Sequence, residues 1–363
     1  MIIHIAAITG SRADYGRYMY ILQAIASSWK LSVIATAQHL QKAHGETINE
    51  VRKDFPDVIS VPMTPKDDTL KAMGDAFSQG ILDMGNTLAK LKPDILLVLG
   101  DRGEMLAGTI AARYQHIPVW HVGGGFLTGS IDDVTRHAIT LYSTKHLVAN
   151  AQCEKVVIAK GANPSDVHIV GAPDIEAIRR KDYTSKETLK SKYHLSGKQL
   201  VLVSFHPDTN ATDNAAQMKD LMNALEEIDA QYIMTTPNSD AGGESMRKAM
   251  RQLKDSQIHE NIPYKDYLGL MALAKVIVGN SSAGIIEAPA FGLPAVNIGE
   301  RQMLRERGTN IIDTQPHAQE IQNAIQKALS DTAFIKRAKE GKSPYGDGHT
   351  SDKILQLLKE AIP

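Results

Sequence analysis

Residues 278–305 read VGNSSAGIIEAPAFGLPAVNIGERQMLR, and this stretch decides the fold of the second half of the chain. The apolar run at 276–278 predicts a short buried strand, and a helix is expected to begin at Ile285. Between them lie three residues with capping side chains and backbone N–H groups: Asn280, Ser281 and Ser282. A strand that turns into a helix N-terminus suits phosphate, because free N–H groups and the helix dipole both favour an anion.

Three further residues in this stretch point to a nucleotide diphosphate. Gly284 has no side chain, so the backbone there can come close to an anion. Glu287 follows Ser282 by about one and a half helical turns, so its carboxylate could accept hydrogen bonds from a ribose. Arg301 is a candidate second contact to ribose or phosphate. An ordinary turn with a solvated glutamate would explain GNSS alone, but the combination with Glu287 and Arg301 favours nucleotide binding.

Short apolar runs alternate with longer helical patterns along the whole chain, which is typical of parallel sheets covered by helices. We expect strands at 2–8, 31–36, 95–99, 118–121, 145–149 and 167–170, then at 200–205, 232–235, 276–278 and 295–298. Two Rossmann-like α/β domains follow from this pattern. Residues 179–198 are charged and poor in bulky apolar side chains, so they are the expected joint between the domains.

Length and composition limit the function. A chain of 363 residues is longer than one hydrophobic core usually supports, so two domains are expected. The balance of 40 basic and 41 acidic residues argues against a nucleic-acid or membrane-surface binder. The single cysteine, Cys153, excludes an internal disulfide and fits a reducing cytoplasm. We find no signal peptide, no apolar run near the ~20 residues of a membrane helix, no metal-ligand spacing and no GxGxxG fingerprint. We therefore expect a soluble cytoplasmic protein that needs neither a metal nor NAD.

Polar residues follow the predicted strands of the first half, and parallel sheets bind ligands at the carboxyl ends of their strands. Arg12 follows the first strand and offers a planar donor fork for phosphate or a uracil edge, or else caps a surface loop. Asp101 follows strand 95–99 and is expected to enter the site or to cap the next helix. Arg102 could pair with Asp101 or with a pyrophosphate.

A further helix should carry Asp132 and Arg136 about one turn apart, so that Arg136 orients Asp132. Arg136 is also a candidate contact to the substrate. In the second half, His206 follows strand 200–205 and is either a ligand contact or a structural histidine. Three more residues could reach the sugar or nucleoside, although the last is equally suited to the core: Asn238, Asp240 and Tyr267.

Seven motifs occur in order along the chain. Besides 278–305 they are GSRADYG at 10–16, LGDRGEM at 99–105, TGSIDDVTRHAIT at 128–140, FHPDTN at 205–210, PNSDAGG at 237–243 and SPYGDG at 343–348. Together they resemble the UDP-N-acetylglucosamine 2-epimerases. The resemblance is strongest to the hydrolysing branch, which makes N-acetylmannosamine for sialic acid or a related product for legionaminic acid.

The resemblance implies a GT-B-like fold, in which two Rossmann-like domains face a central cleft. It implies a first domain at residues 1–178, joined by a C-terminal helix at 350–363, and a UDP-binding domain at 179–349. The implied substrate is a UDP-N-acetylated sugar, UDP-N-acetylglucosamine or UDP-N,N'-diacetylbacillosamine, and the implied assembly is a homo-oligomer, either a dimer or a tetramer.

The implied chemistry is elimination of UDP to a glycal, followed by rehydration. By resemblance, Asp101 is a catalytic carboxylate, Arg12 and Arg102 belong to the nucleotide site, and His206 donates to the departing diphosphate. Asp132 is the expected second carboxylate.

The chain departs from the family in one segment. Sialic-acid-type members usually have glutamates at the positions of Gly123 and Phe126, the first of them catalytic, and a lysine at that of Leu141. His121 or Asp133 could replace the missing carboxylate. There are three alternatives to an epimerase with a replacement carboxylate. The chain could have a different sugar specificity, it could be a glycosyltransferase of the same architecture, or it could be a nucleotide-sugar sensor that has lost catalysis.

Overall fold

A computed structural model describes residues 3–42, 45–67, 69–128, 132–208, 211, 213–237 and 242–361. The chain divides into two compact units. The first comprises residues 3–127, 132–176 and 346–361, and the second comprises residues 128 and 177–345, with the gaps just given. The predicted boundaries, after residues 178 and 349, lie slightly later than these divisions. Gly346 already packs against the backbone of Gly171, which holds it in the first unit.

The first unit is built on a parallel sheet with the strand order β3-β2-β1-β4-β5-β6-β7. Its strands are β1 His4–Thr9, β2 Lys30–Thr36, β3 Ile59–Val61, β4 Ile95–Leu99, β5 Val119–Val122, β6 Lys145–Val148 and β7 Val167–Ile169. The helices between and after them are α1 Arg12–Ala26, α2 Ile48–Asp54, α3 Leu70–Leu91, α4 Gly103–Tyr114, α5 Asp132–Tyr142 and α6 Ala151–Ala159. Helix α7 Glu176–Arg179 begins at the last residue of this segment of the first unit and continues into the second.

The second unit has its own parallel sheet with the order β10-β9-β8-β11-β12-β13. Its strands are β8 Leu200–Ser204, β9 Gln231–Thr235, β10 Ser256–His259, β11 Val276–Gly279, β12 Ala295–Ile298 and β13 Ile311–Thr314. Its helices are α8 Lys186–Lys192, α9 Asn214–Glu226, α10 Gly243–Ala249, α11 Tyr264–Leu273, α12 Ala288–Phe291, α13 Ala318–Ser330 and α14 Thr332–Lys339. The last helix, α15 Thr350–Ala361, returns to the first unit.

Each sheet follows the Rossmann strand order, which confirms the predicted pair of Rossmann-like α/β domains. In this order the direction of winding reverses beside the first strand, between β1 and β4 in one sheet and between β8 and β11 in the other. Ligands of open α/β sheets bind outside the carboxyl ends of the strands at such a reversal. The turns after these four strands are therefore the places where a site is expected.

Three strands, β3, β10 and β13, were not predicted, and all three lie at sheet edges. Central strands β1, β4 and β8 are buried at every position, whereas most residues of the three edge strands are partly exposed. An edge strand needs only one covered face, so its sequence lacks the continuous apolar run that marks a central parallel strand.

Helix α15 completes the core of the first unit. Ile354 and Leu358 are buried there in the same apolar cluster as Ile21 and Leu22 of α1. The start of α15 is held by the buried carboxylate of Glu176, which accepts hydrogen bonds from the Ser351 backbone N–H at 2.9 Å and from the Ser351 hydroxyl. A negative carboxylate at the N-terminus of α15 also interacts favourably with the positive end of the helix dipole.

The chain enters the second unit directly after Glu176, which corrects the predicted joint at 179–198. That segment lies within the second unit, where α8 contacts α11. Among the described residues, no helix combines the length and the apolarity needed to span a bilayer.

Replacing Glu176 with Gln should destabilise the first unit by about 1 to 3 kcal/mol, because a charged acceptor for two buried hydrogen bonds is lost. Both tryptophans, Trp29 and Trp120, belong to this unit, so their fluorescence during urea unfolding reports its stability. Glu187→Gln, a change on α8 of the second unit, serves as the control. An unchanged urea midpoint for Glu176→Gln would show that the contact with Ser351 contributes nothing.

Candidate functional site

The turn after β4 places Asp101 next to a buried arginine. Gly100 has a φ of 81°, and Arg102 occupies the N-cap position of α4 without a side-chain capping bond. Asp101 is therefore not the cap of this helix. Its carboxylate instead accepts a hydrogen bond from Nη2 of Arg136, which lies on α5.

The Arg136 side chain is only 2% exposed, so its charge must be matched by acceptors inside the protein. Besides Asp101, it donates to Asp133 and, at 2.8 Å, to the carbonyl of Phe126. The prediction that Arg136 pairs with Asp132 is wrong. The carboxylate that Arg136 binds in its own helix is that of Asp133, three residues before it. Asp132 is exposed in the first turn of α5.

The two carboxylates on Arg136 differ in accessibility. The side chain of Asp101 is 31% exposed, whereas that of Asp133 is 15% exposed. Arg136 was predicted to contact substrate, but in the first unit it acts as a buried bridge between the β4 turn and α5. Asp101 is the member of this group that a ligand can reach most easily.

His121 of β5 is fully buried and holds the backbone just before Asp101. Its Nε2 lies 2.7 Å from the Gly100 carbonyl, and its Nδ1 lies 3.2 Å from the Thr140 hydroxyl. A carbonyl only accepts, so Nε2 carries the proton and Nδ1 accepts from Thr140. Burial lowers the pKa of His121 to about 4. Both ring nitrogens are occupied, so His121 is not a substitute for the missing carboxylate.

Glycine occupies the position where a family glutamate is expected. Gly123 has a φ of 80°, and a Cβ there would meet no atom closer than 3.8 Å, so space exists but the backbone conformation disfavours a side chain. Phe126, at the position of the second family glutamate, is half-buried, and its carbonyl is held by Arg136. The backbone at position 123 therefore disfavours the glutamate that family members have there.

Arg102 pairs with carboxylates other than Asp101. Its Nε donates to Glu104 and lies 3.8 Å from an oxygen of Asp14, whose pKa is raised by burial. Arg12, the first residue of α1, is partly exposed and lies 3.9 Å from Glu50. Both arginines thus lie at the carboxyl end of the first sheet, as predicted, and each has a carboxylate neighbour.

In the second unit, the turn after β11 is centred on Asn280. The preceding Gly279 has a φ of 137°, and a Cβ there would lie 2.0 Å from the Ser204 carbonyl, so only glycine fits. The Asn280 side chain accepts from the His206 backbone N–H and donates to the His206 carbonyl, both at 2.8 Å. Its own carbonyl accepts from Arg301 at 3.2 Å and from Gln302 at 3.0 Å.

The helix predicted to begin at Ile285 does not form there. A 3-10 turn covers Ser282–Gly284, and α12 is a four-residue helix that begins at Ala288. Pro289 explains the delay, since it has no N–H to bond the carbonyl four residues earlier. Ser281 caps the 3-10 turn by accepting from the Ala283 N–H at 3.3 Å.

The contact of Gly284 with an anion stays a prediction, because only the direction of its missing side chain is seen. A Cβ at this position would lie 3.7 Å from Ala295 and 3.8 Å from Ile277, both residues of the sheet beneath. The side of Gly284 that lacks a side chain therefore faces the protein interior. Ser281 and Ser282 are both partly exposed and remain the polar groups of this turn that a ligand can contact.

Two more predicted residues lie near one another. Glu287 is 6% exposed, and its charge raises the pKa of Tyr267, although burial of the tyrosine raises it more.

The ring of His206, another predicted residue, contacts a hydroxyl of β8. His206 Nε2 lies 3.2 Å from the Ser204 hydroxyl, which in turn accepts from Thr235 at 3.1 Å. Asn238 and Asp240 lie outside the described residues. Within the described residues, no group of three His, Cys, Asp or Glu side chains is placed to hold a metal ion.

Comparison with known proteins identifies the family of the chain. A family model described as UDP-N-acetylglucosamine 2-epimerase matches residues 23–359. The chain belongs to the UDP-N-acetylglucosamine 2-epimerase family. This confirms the family expected from the seven motifs.

Two relatives and one solved structure illustrate the match. The UDP-N,N'-diacetylbacillosamine 2-epimerase (hydrolyzing) of Legionella pneumophila is 34% identical over 367 residues, which cover 99% of this chain and 96% of that protein. The UDP-N-acetylglucosamine 2-epimerase of Neisseria meningitidis is 32% identical over 331 residues, 90% of this chain and 87% of its own. A crystal structure of UDP-GlcNAc 2-epimerase from Neisseria meningitidis, bound to UDP-GlcNAc, aligns with a TM-score of 0.84, at 16% identity, over 99% and 100% of the two chains.

The structure adds residues that sequence reasoning did not assign in this epimerase-family chain. Asn280 was interpreted as a helix cap, and Gln302 and Ser204 were not singled out. Their partners lie on other strands and loops, so neither periodicity nor capping rules point to them. The local signal in the sequence is Gly279, just before Asn280. A position where only glycine fits marks a close approach between two backbone segments.

We predict that His121 makes stability of the first unit depend on pH. Its folded-state pKa of about 4 lies below the ordinary 6.5, so the unfolded chain binds the proton more tightly. Stability is therefore lost as pH falls from about 6.5 towards 4, by about 2 kcal/mol at pH 5 for this one histidine.

The measurement is urea unfolding at pH 7.5 and pH 5, followed by tryptophan fluorescence. His121→Gln should lose about 2 kcal/mol less than wild type between these two pH values, whatever its stability at pH 7.5. His116→Asn, a change at an exposed histidine of the same unit, is the control. An identical pH dependence in His121→Gln and wild type would contradict the assignment.

Proposed function

We propose that this chain is a hydrolysing 2-epimerase of a UDP-N-acetylhexosamine, with UDP-N-acetylglucosamine as substrate and N-acetylmannosamine and UDP as products. The observation that carries the proposal is the ionic group at the β4 turn, where buried Arg136 holds the partly exposed carboxylate of Asp101. Such a group is suited to proton transfer because its carboxylate is fixed in place and still reachable. The names of the Legionella and Neisseria relatives support the same reaction class.

The reaction has two steps. A base removes the proton from C2 of the sugar while the bond between C1 and the diphosphate oxygen breaks, which leaves a glycal and UDP. Water then adds to the glycal. Its hydroxyl bonds to C1, and a proton is delivered to C2 on the face opposite to the one from which the first proton was removed. The net result is hydrolysis with inversion at C2, and no external oxidant or reductant is needed.

We assign the proton transfers to Asp101 and Asp132. Asp101 is the more exposed of the two carboxylates that Arg136 binds, so it is better placed than Asp133 to meet a substrate. Asp132 is exposed at the start of α5, the same helix that carries Arg136. Arg136 contributes by orienting Asp101 and does not contact the sugar.

We assign the nucleotide to the second unit, with help from Arg12 and Arg102. Ser281 and Ser282 offer hydroxyl and backbone groups to phosphate, and Glu287 offers a carboxylate to the ribose. His206 and Arg301 would stabilise the negative charge that builds on the diphosphate as it departs. In the proposal, Tyr267, Asn238 and Asp240 contact the nucleoside or sugar.

UDP-N,N'-diacetylbacillosamine is the second candidate substrate. It is favoured by the Legionella pneumophila relative, which carries this sugar in its name and is 34% identical over 99% of the chain. The two sugars differ in the substituents at C4 and C6, whereas the chemistry at C1 and C2 is shared. The mechanism assigned above therefore holds for either.

The deciding experiment incubates the protein with each UDP-sugar in deuterated water. We expect UDP release together with deuterium at C2 of the free sugar, and the sugar with the higher kcat/KM is the substrate. Asp101→Asn should lower kcat by at least ~10²-fold, the usual scale for loss of an acid or base. UDP binding without turnover would identify a nucleotide-sugar sensor, and UDP release without deuterium at C2 would indicate a glycosyltransferase.

Replacing Glu287 with Gln should weaken UDP binding by about 1 to 3 kcal/mol, because the ribose hydroxyls lose a charged acceptor in a buried setting. Calorimetric titration with UDP measures the effect. Glu320→Gln is the control, since Glu320 lies in the first turn of another helix of the same unit and is exposed. Equal UDP affinity in Glu287→Gln and wild type would remove Glu287 from the nucleotide site.

A further inference from the structure

We infer that Asn280 is a positioning residue, which sets His206 and Arg301 in a fixed relation to one another. The inference rests on the proposed function for the roles of those two residues. Asn280 itself is 1% exposed, so it is not expected to touch the substrate. Its effect on the reaction would come through the groups it holds.

The contact between Asn280 and His206 replaces a missing stretch of sheet. Strand β8 ends at Ser204, two residues before His206, so the sheet ladder does not extend to this residue. The Asn280 amide supplies both bonds that a neighbouring strand would have made, accepting from the His206 N–H and donating to its carbonyl, each at 2.8 Å. Two bonds to one peptide segment fix its orientation as well as its distance.

The same residue holds the loop of Arg301 through its backbone. The Asn280 carbonyl accepts from Nη1 of Arg301 at 3.2 Å and from the buried Gln302 side chain at 3.0 Å. His206 and Arg301 are the two side chains assigned to the departing diphosphate. One residue therefore anchors both, and a shift of its turn would move both at once.

The imidazole ring of His206 depends on this anchor. Its Nε2 lies 3.2 Å from the Ser204 hydroxyl, which accepts from Thr235 at 3.1 Å. The ring of His206 is therefore held through Nε2 by a hydroxyl at the end of β8. This arrangement requires that the His206 backbone stay where Asn280 holds it.

Gln231 provides a matched comparison elsewhere in the same unit. Its side-chain amide accepts from the Ser196 N–H at 2.9 Å and donates to the His194 carbonyl at 3.1 Å, and it is 5% exposed. This is the same kind of two-point contact, but it lies at the first residue of β9, the end of the strand opposite to the predicted ligand side. Loss of either amide should cost stability, whereas only Asn280 should affect the site.

The test compares Asn280→Ala with Gln231→Ala. Asn280→Ala should lower kcat by about 10- to 100-fold and weaken UDP binding several-fold, since His206 loses both side-chain bonds that hold its backbone, whereas the main-chain carbonyl that holds Arg301 is kept. Gln231→Ala should leave kcat and UDP affinity within about two-fold while lowering the urea midpoint comparably. Asn280→Asp keeps the side-chain volume and the oxygen that accepts from the His206 N–H. It replaces the NH₂ group that donates to the His206 carbonyl with a second oxygen, so kcat should stay low in this variant.

A second readout does not depend on turnover. The ring signals of His206 in ¹⁵N NMR spectra, assigned with His206→Gln, should shift in both Asn280 variants and stay unchanged in Gln231→Ala. If wild type releases no UDP from any sugar, the proposed function fails, but this comparison still tests the inference. Unmoved His206 signals, or an equal loss of kcat in Gln231→Ala, would overturn it. Should Asn280→Ala not fold, Asn280→Asp takes its place in the comparison.

Discussion

At the carboxyl end of a parallel sheet, the backbone leaves the ladder and its polar groups need new partners, because an unpaired group that stays buried is costly. Both halves of this chain meet that requirement with a buried side chain from a neighbouring strand or turn. In the first unit the ring of His121 bonds the Gly100 carbonyl, and in the second unit the amide of Asn280 bonds His206. The residues assigned to function are next to backbone that is fixed in this way.

The same requirement explains why the charges near the β4 turn are grouped. A guanidinium as buried as that of Arg136 is stable only with nearby carboxylates and carbonyls, and it has Asp101, Asp133 and the Phe126 carbonyl. Each partner comes from a different part of the first unit. Removing any one of them would leave a buried charge under-matched, so the position of Asp101 is tied to the integrity of α5.

The sequence predicts the central strands, because complete burial requires an unbroken apolar run, and it predicts that the polar residues lie just after them. It does not predict the edge strands β3, β10 and β13, which are only partly covered. It also selects Asp132 over Asp133 as the partner of Arg136, since both three- and four-residue spacings are compatible with a helix. The role of Asn280 is beyond local rules, because His206 is 74 residues away.

The return of α15 to the first unit has a consequence for synthesis on the ribosome. Ile354 and Leu358 fill part of the same core as the first helix, yet they are translated after the whole of the second unit. Apart from residue 128, the second unit is contiguous in sequence and can fold as soon as it emerges. The first unit must instead wait with an apolar surface uncovered until the last helix arrives, so the nascent chain passes through a stage in which its earliest part is the more vulnerable to aggregation and to chaperone binding.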